Sequence, residues 1–202
     1  MVTITYRDAD IELDEDVYDP AEDSYLLADV AIDVAQDGMS VLEVGAGTGF
    51  VSAVLQTNVG VDLVATEISP FAAECAKRNG VVVIRADMFG CFRSGTKFDL
   101  ILFNPPYLPT AEDEKVPGWL NYAFDGGVDG REAVNRFFEE VTPFLSNGGI
   151  ILMLISSLTG MDEVKMRMLK QGLEVEICNI DRDCFFEELI VLKGTLKASD
   201  QL

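Results

Sequence analysis

An α/β fold, with one mostly parallel sheet covered by helices on both faces, is what this sequence predicts. Three observations carry the prediction. Apolar segments of strand length alternate with segments of helical period, one apolar segment runs straight into glycines at alternate positions, and no repeat or low-complexity linker interrupts the alternation. With 202 residues and 49% hydrophobic content the chain can bury one core. Residues 1–202 are therefore expected to be a single domain, with 1–37 an acidic N-terminal extension and first helix.

The first helix is expected from about Ala21 to Ala35. Leu26, Leu27, Val30 and Val34 share one face there, while Asp23, Asp29 and Asp33 lie away from it. Val41 to Val44 reads as a short strand entering Gly45-Ala46-Gly47-Thr48-Gly49, and a second helix begins near Phe50. Val61 to Glu67 is the next apolar strand. Ser69-Pro70 follows it as cap and first-turn proline of a third helix. Val81 to Arg85 and Phe98 to Phe103 are two further strands, the second closing on Asn104-Pro105-Pro106-Tyr107. Residues 108–130, rich in Pro, Gly and acids, form one long irregular connection, a common place for a substrate loop; Trp119, Tyr122 and Phe124 give it aromatic contacts. A helix over about Arg131 to Leu145, a strand at Ile150 to Ser156, a helix at Met161 to Lys170 and strands at Leu173 to Asn179 and Glu188 to Leu196 complete the pattern.

Ligands of open α/β sheets bind outside the carboxyl ends of the strands, which is where the chemistry-bearing residues fall. The Asn104 side-chain oxygen and a carbonyl in the Pro105 region could accept the two N–H bonds of a planar amine or amide, with Tyr107 on its flat face. The glycines allow a ligand to approach the backbone closely, although their GxGxG spacing differs from the dinucleotide GxGxxG. Glu67 ends its strand where it could accept both hydroxyls of a ribose. Asp87 and Met88 could hold an adenine amino group and ring face, and Glu43 is suited to a cationic amino group. Any one of these acids reads as an ordinary loop residue. Three at successive strand ends, followed by Asn-Pro-Pro-Tyr, read as a nucleoside cofactor site beside a planar-nitrogen site.

These residues resemble the class I S-adenosylmethionine-dependent methyltransferases, and within them the HemK-like glutamine methyltransferases that modify translation termination factors. The archaeal and eukaryotic branch is the nearest likeness, through residues 17–24 (VYDPAEDS), 41–49 (VLEVGAGTG), 103–107 (FNPPY) and 125–132 (DGGVDGRE). The likeness runs from about Tyr18 to about Lys193. It implies a Rossmann-like seven-stranded mixed sheet in the order 3-2-1-4-5-7-6, the seventh strand antiparallel. It also implies S-adenosylmethionine as cofactor, with contacts at Ser24, Glu43, Gly45, Gly47, Glu67, Asp87, Met88 and Asn104, and catalysis at Asn104, Pro105 and Tyr107. Ser24 stands where Thr is common and Glu67 where Asp is common, and both keep the required hydroxyl or carboxylate. The Asn-Pro-Pro-Tyr segment is shared with adenine-N6 and guanine-N2 nucleic-acid methyltransferases, so it names the type of nitrogen and leaves the substrate open. The narrower likeness implies methylation of the Gln in the Gly-Gly-Gln motif of a release factor. It further implies a heterodimer with a small zinc-binding activator on edge strand 81–85, a short β-branched run blunted only by Arg85.

Composition removes several alternatives. The net charge of −20, with twelve acids against Arg7 alone in residues 1–37, repels a polyanion and suits a basic protein substrate. An N-methyltransferase for an exocyclic amine of RNA or DNA is thereby disfavoured, as it is by the lack of room for a recognition domain. The chain has no histidine, which excludes Ser-His-Asp and Cys-His hydrolases. Cys75, Cys91, Cys178 and Cys184 show no CxxC spacing, so no metal site is expected and reduced thiols are, with Cys178 and Cys184 candidates for proximity. No run reaches the roughly 18–20 apolar residues of a membrane span, and the N-terminus lacks signal-peptide character, so a cytoplasmic protein is expected. A noncatalytic S-adenosylmethionine-binding subunit is opposed by the intact Asn-Pro-Pro-Tyr. A nicotinamide dehydrogenase is opposed by the glycine spacing.

Overall fold

A hairpin opens the chain: β1 (Thr3–Tyr6) pairs antiparallel with β2 (Ala9–Glu12) in a computed structural model that describes residues 2–111, 118–182 and 187–197. Sequence had marked this stretch only as an acidic extension. Its two-residue turn, Arg7-Asp8, has φ of 47° and 65°, the left-handed pair that normally calls for Asn-Gly, so the usual hairpin signal is missing. Ala9 and Ile11 are buried, and the Tyr6 ring lies 4.7 Å from Tyr25 and 5.7 Å from Phe50. The hairpin thus closes over the first two helices.

Those helices are α1 (Glu22–Val34) and, after β3 (Ser40–Val44), α2 (Phe50–Asn58). β4 (Asp62–Glu67) leads to α3 (Pro70–Arg78), where Ser69 accepts a hydrogen bond from the Ala72 N–H and Pro70 occupies the first turn, as its sequence predicts. β5 (Val83–Arg85) and β6 (Phe98–Phe103) follow. The third apolar segment is a shorter strand than expected: Val81 is buried under α3 and β4, and the ladder with β4 begins at Val83. After a single turn, α4 (Asn121–Phe124), comes α5 (Glu132–Glu140), which stops short because Pro143 cannot continue a helix and turns the chain through a 3-10 turn at Thr142–Phe144. β7 (Leu145–Ser156), α6 (Met161–Lys170), β8 (Leu173–Asp181) and β9 (Leu189–Leu196) end the description.

The main sheet has the order β5-β4-β3-β6-β7-β9-β8, with β9 antiparallel to both neighbours and the other pairs parallel. Renumbered within the sheet this is 3-2-1-4-5-7-6, the implied order. Because alternate residues of a strand point to opposite faces, the central strands feed two cores. Val41, Leu100, Leu102, Leu152 and Leu154 join one with α1 and α2, while Leu42, Ile101, Phe103, Ile151 and Met153 join the other with α5 and α6. Burial on both faces is why these strands read as unbroken apolar runs. No described helix is long and apolar enough to cross a membrane. Cys75, Cys91 and Cys178 are free thiols, and Cys184, on which the expected proximity to Cys178 depends, lies outside the described residues.

Leu102 is fully buried in the middle of β6. Leu102→Ala should cost about 2–5 kcal/mol of unfolding free energy, read as a lowered urea midpoint at unchanged slope.

Candidate active site

The carboxyl ends of β3, β4, β5 and β6 open into one cavity of about 630 Å³, within the range of small-molecule sites. Every residue singled out in the sequence lines it: Ser24, Glu43, Gly45, Gly47, Glu67, Asp87, Met88, Asn104, Pro105 and Tyr107.

The glycine loop forms one wall. Gly45, Gly47 and Gly49 have φ of 71°, 56° and 80°, a left-handed backbone that other residues resist. A Cβ on Gly47 would meet nothing within 4 Å, and one on Gly45 only Phe103 at 3.9 Å, so both lie open to a ligand. Gly49 differs: its Cβ would come within 3.0 Å of Ala76 and Val81, so this glycine serves the packing of α2 against α3.

Two strand-end acids are deeply buried. Glu43 accepts hydrogen bonds from the Ser52 N–H at 3.0 Å and from the Ser52 hydroxyl. Burial nevertheless pushes its carboxyl up to about 8, above the ordinary carboxyl range. Glu67 accepts from the Ser69 N–H at 2.8 Å and the Gly47 N–H at 2.9 Å. Its pKa is raised by burial and held back by those amides. Sequence reasoning gave both oxygens of Glu67 to a ligand. Each already holds one backbone N–H, which pins the carboxylate across the glycine loop and leaves each oxygen a further lone pair. Asp87 is exposed and paired with Arg136 of α5 at 2.8 Å, a partner the sequence could not supply. Met88 beside it is buried with φ of 44°.

The second wall is Asn104-Pro105-Pro106-Tyr107. Asn104 Nδ2 donates to Asp23 Oδ2 at 3.0 Å, and the Tyr107 hydroxyl donates to the same oxygen at 3.4 Å. Tyr18 donates to Asp23 Oδ1 at 3.4 Å, and Ser24 donates to it from its hydroxyl and its N–H at 3.1 and 2.6 Å. Asp23 was expected on the outer face of α1; it is 4% exposed and is the hub of the site. The motif that contains it was legible, but its direction was not, because the end of β6 lies over the start of α1 only in the folded chain. A carboxylate can only accept, so the Asn104 NH₂ must face Asp23 and the Asn104 Oδ1 must point away from it. That Oδ1 is buried with no hydrogen-bond partner among the described residues. Thr66 Oγ1 and Glu187 Oε2 are in the same condition, and all three line the cavity. Burial first, and then Asp23, raises the pKa of Tyr18 and Tyr107, so both phenols remain donors.

Behind this wall the 125–132 segment acts as a brace. The Gly126 N–H donates to the Leu108 carbonyl at 3.0 Å, and a Cβ on Gly130 would strike the Tyr107 carbonyl. Arg131 donates to the Thr159 carbonyl at 2.6 Å and pairs with Asp129 at 2.8 Å. From the connecting loop, Trp119, Tyr122 and Phe124 line the cavity, Phe124 edge-on to Tyr18 at 5.2 Å.

Residues 21–117 match the methyltransferase small domain family. A Methanocaldococcus jannaschii protein provisionally named protein N5-glutamine methyltransferase is 42% identical over 91% of this chain and 94% of its own length. Human methyltransferase HEMK2 is 36% identical over 89% of this chain and 90% of its own. The chain belongs to the HEMK2 family of methyltransferases. It is accordingly an S-adenosylmethionine-dependent methyltransferase. A chain of the solved E. cuniculi Mtq2–Trm112 complex, responsible for the methylation of the eRF1 translation termination factor, superposes with a TM-score of 0.74 at 28% identity, covering 90% of this chain and 99% of that one.

Glu43 also makes a prediction about stability. Its folded carboxyl is raised to about 8 from an ordinary 4.5, so its contribution is full below pH 4.5 and is lost as pH climbs to about 8. Glu43→Gln should therefore gain on the wild type as pH rises. Thermal melts at pH 5 and pH 9 should show the difference widening in favour of the variant, and an equal difference at both would contradict it.

Proposed function

We propose that this HEMK2-family chain methylates the side-chain nitrogen of the glutamine in the Gly-Gly-Gln segment of a translation release factor, in the cytoplasm. The observation that carries the reading is Asn104 Oδ1, a buried acceptor aimed by Asp23 and lacking a described donor. A primary amide brings two N–H bonds. Asn104 Oδ1 takes one and a main-chain carbonyl at Pro105 the other, with Tyr107 beside the amide plane. The names of the M. jannaschii relative and of the eRF1-methylating structure support the same substrate class.

The cavity residues fit S-adenosylmethionine. Gly45 and Gly47 leave room for close approach, Thr66 Oγ1 has no described partner, and the acids are spaced along successive strand ends. Glu43 suits the amino group, ionising as the cation binds. Glu67 suits the ribose hydroxyls, Asp87 and Met88 the adenine, and Ser24 lies beside them in the same cavity. When bound, the cofactor supplies a methyl group on a sulfonium, an electrophile that needs no covalent enzyme intermediate. The amide nitrogen is a weak nucleophile, so the protein's contribution is to align it and to favour the positive charge it develops. The nitrogen gains the methyl group and gives up one proton.

An exocyclic amine of RNA or DNA would present the same planar nitrogen. The described cavity lining holds eight acidic side chains (Asp16, Glu22, Asp23, Glu43, Glu67, Asp87, Asp181 and Glu187) and one basic side chain, Arg136. Phosphates are repelled by such a lining.

Incubation with tritiated S-adenosylmethionine should label wild-type release factor and not its Gln→Ala variant. Asn104→Ala and Asp23→Ala should each slow methyl transfer by about 100-fold or more while cofactor affinity changes little, measured by calorimetry. More than about a tenth of the wild-type rate in either variant would contradict the assignment.

A partner is part of this reading. Among the described residues β5 pairs with β4 alone, and Val82 (64% exposed) and Ile84 (38%) leave apolar side chains open at that edge, with Phe71 of α3 (47%) exposed as well. Such an edge invites a strand from another chain, and the E. cuniculi structure is of a complex with Trm112. A small zinc-binding activator is proposed to add its strand here. Co-expression and gel filtration should give a heterodimer in which amides 82–85 exchange more slowly; Ile84→Glu should abolish it. Identical exchange with and without the partner would refute the edge pairing.

A further inference from the structure

The cavity contains a second buried acceptor that the reaction as described does not use. Glu187 stands just before β9, and its Oε2 is buried without a hydrogen-bond partner among the described residues. It lines the same cavity as Asn104, Tyr18 and Tyr107, and its charge helps to raise the pKa of Tyr107, behind burial and Asp23, and of Tyr18, behind burial, Asp23 and Glu22. The one described cationic side chain of the lining, Arg136, is held by Asp87 at 2.8 Å. A buried carboxylate oxygen left bare is costly, and the cost disappears when a donor enters with a ligand.

We propose that Glu187 is a substrate-binding residue whose Oε2 accepts a main-chain N–H of the segment carrying the target glutamine. The inference rests on the glutamine reading above and extends it to the flanking chain. Glycine neighbours have no side chain to shield their N–H groups, so a Gly-Gly-Gln segment entering a dry cavity brings bare donors that lose their water. Asn104 and the Pro105 carbonyl answer the two bonds of the side-chain amide. Glu187 answers one from the backbone, fixing the segment at a second point so that the amide nitrogen stays in line. The acceptor needs no charge for this role, and a glutamine at 187 would retain a carbonyl oxygen in its place.

Full-length wild-type, Glu187→Ala and Glu187→Gln proteins would be compared in steady-state methylation of recombinant release factor, with S-adenosylmethionine affinity measured separately by calorimetry and folding by thermal melts. Glu187→Ala should raise KM for the release factor about tenfold or more, lower kcat less, and leave cofactor affinity within about twofold. Glu187→Gln should restore KM to within about threefold of wild type. A wild-type KM in Glu187→Ala, or an equal loss of cofactor affinity, overturns the assignment. A Gln variant no better than Ala also overturns it, since the partner would then be a cation. A wild type that methylates the release factor while Glu187→Ala matches it defeats this inference alone; a wild type that leaves the release factor unmethylated defeats the functional reading and this inference with it.

Discussion

The carboxylate of Asp23 ties the first turn of α1 to the end of β6, and the reacting half of the site depends on that link. Burying a charge without a cation beside it is expensive unless several donors converge on it. Here Asn104, Tyr107, Tyr18 and Ser24 supply them. The exchange works in both directions. Asp23 becomes tolerable in the interior, and in return the Asn104 amide has one orientation, since its NH₂ is spoken for and its oxygen must face the cavity. A side chain free to flip would present donor and acceptor alternately; this one presents only an acceptor.

Glycines serve the site in two physically different ways. At Gly45 and Gly47 the absent side chain leaves space for a ligand, whereas at Gly49, Gly126 and Gly130 it lets protein backbone or neighbouring side chains close in. The first kind shapes the glycine-loop wall of the cavity, and the second holds the walls in register. The loop that carries Trp119 closes the arrangement: Arg85 of β5 sits 5.9 Å from the Trp119 ring centroid, a cation–π contact between the open sheet edge and the cavity lining. Whatever pairs with that edge therefore lies one side chain from the cavity.

The chain carries a net charge of −20, but the acids that matter are the few taken out of water. Desolvation pushes Glu43 up to about 8 and raises Glu67 as well.

Most of the fold was legible in the sequence because central parallel strands, buried on both faces, leave unbroken apolar runs, and because Ser69-Pro70 and the alternating glycines mark their own boundaries. The placing of the strand-end acids along one cavity was legible for the same reason: a strand-end acid is found by counting from its own strand. The hairpin was not, since Arg7-Asp8 adopts a turn that sequence statistics reserve for Asn-Gly. β5 came out shorter than its apolar run because Val81 is consumed by packing under α3. Asp23 and the Arg136 partner of Asp87 were missed on one physical ground. Helical periodicity tells which side of α1 or α5 meets its own core, and says nothing about a strand end 81 residues away, or a loop 49 residues away, that reaches over the helix once the sheet has formed. By itself the sequence determined the strands, the acids at their ends and the Asn-Pro-Pro-Tyr segment that closes β6. Only the tertiary structure decided which way the Asn104 amide points, because that orientation is set by a hydrogen bond between segments that no local pattern connects.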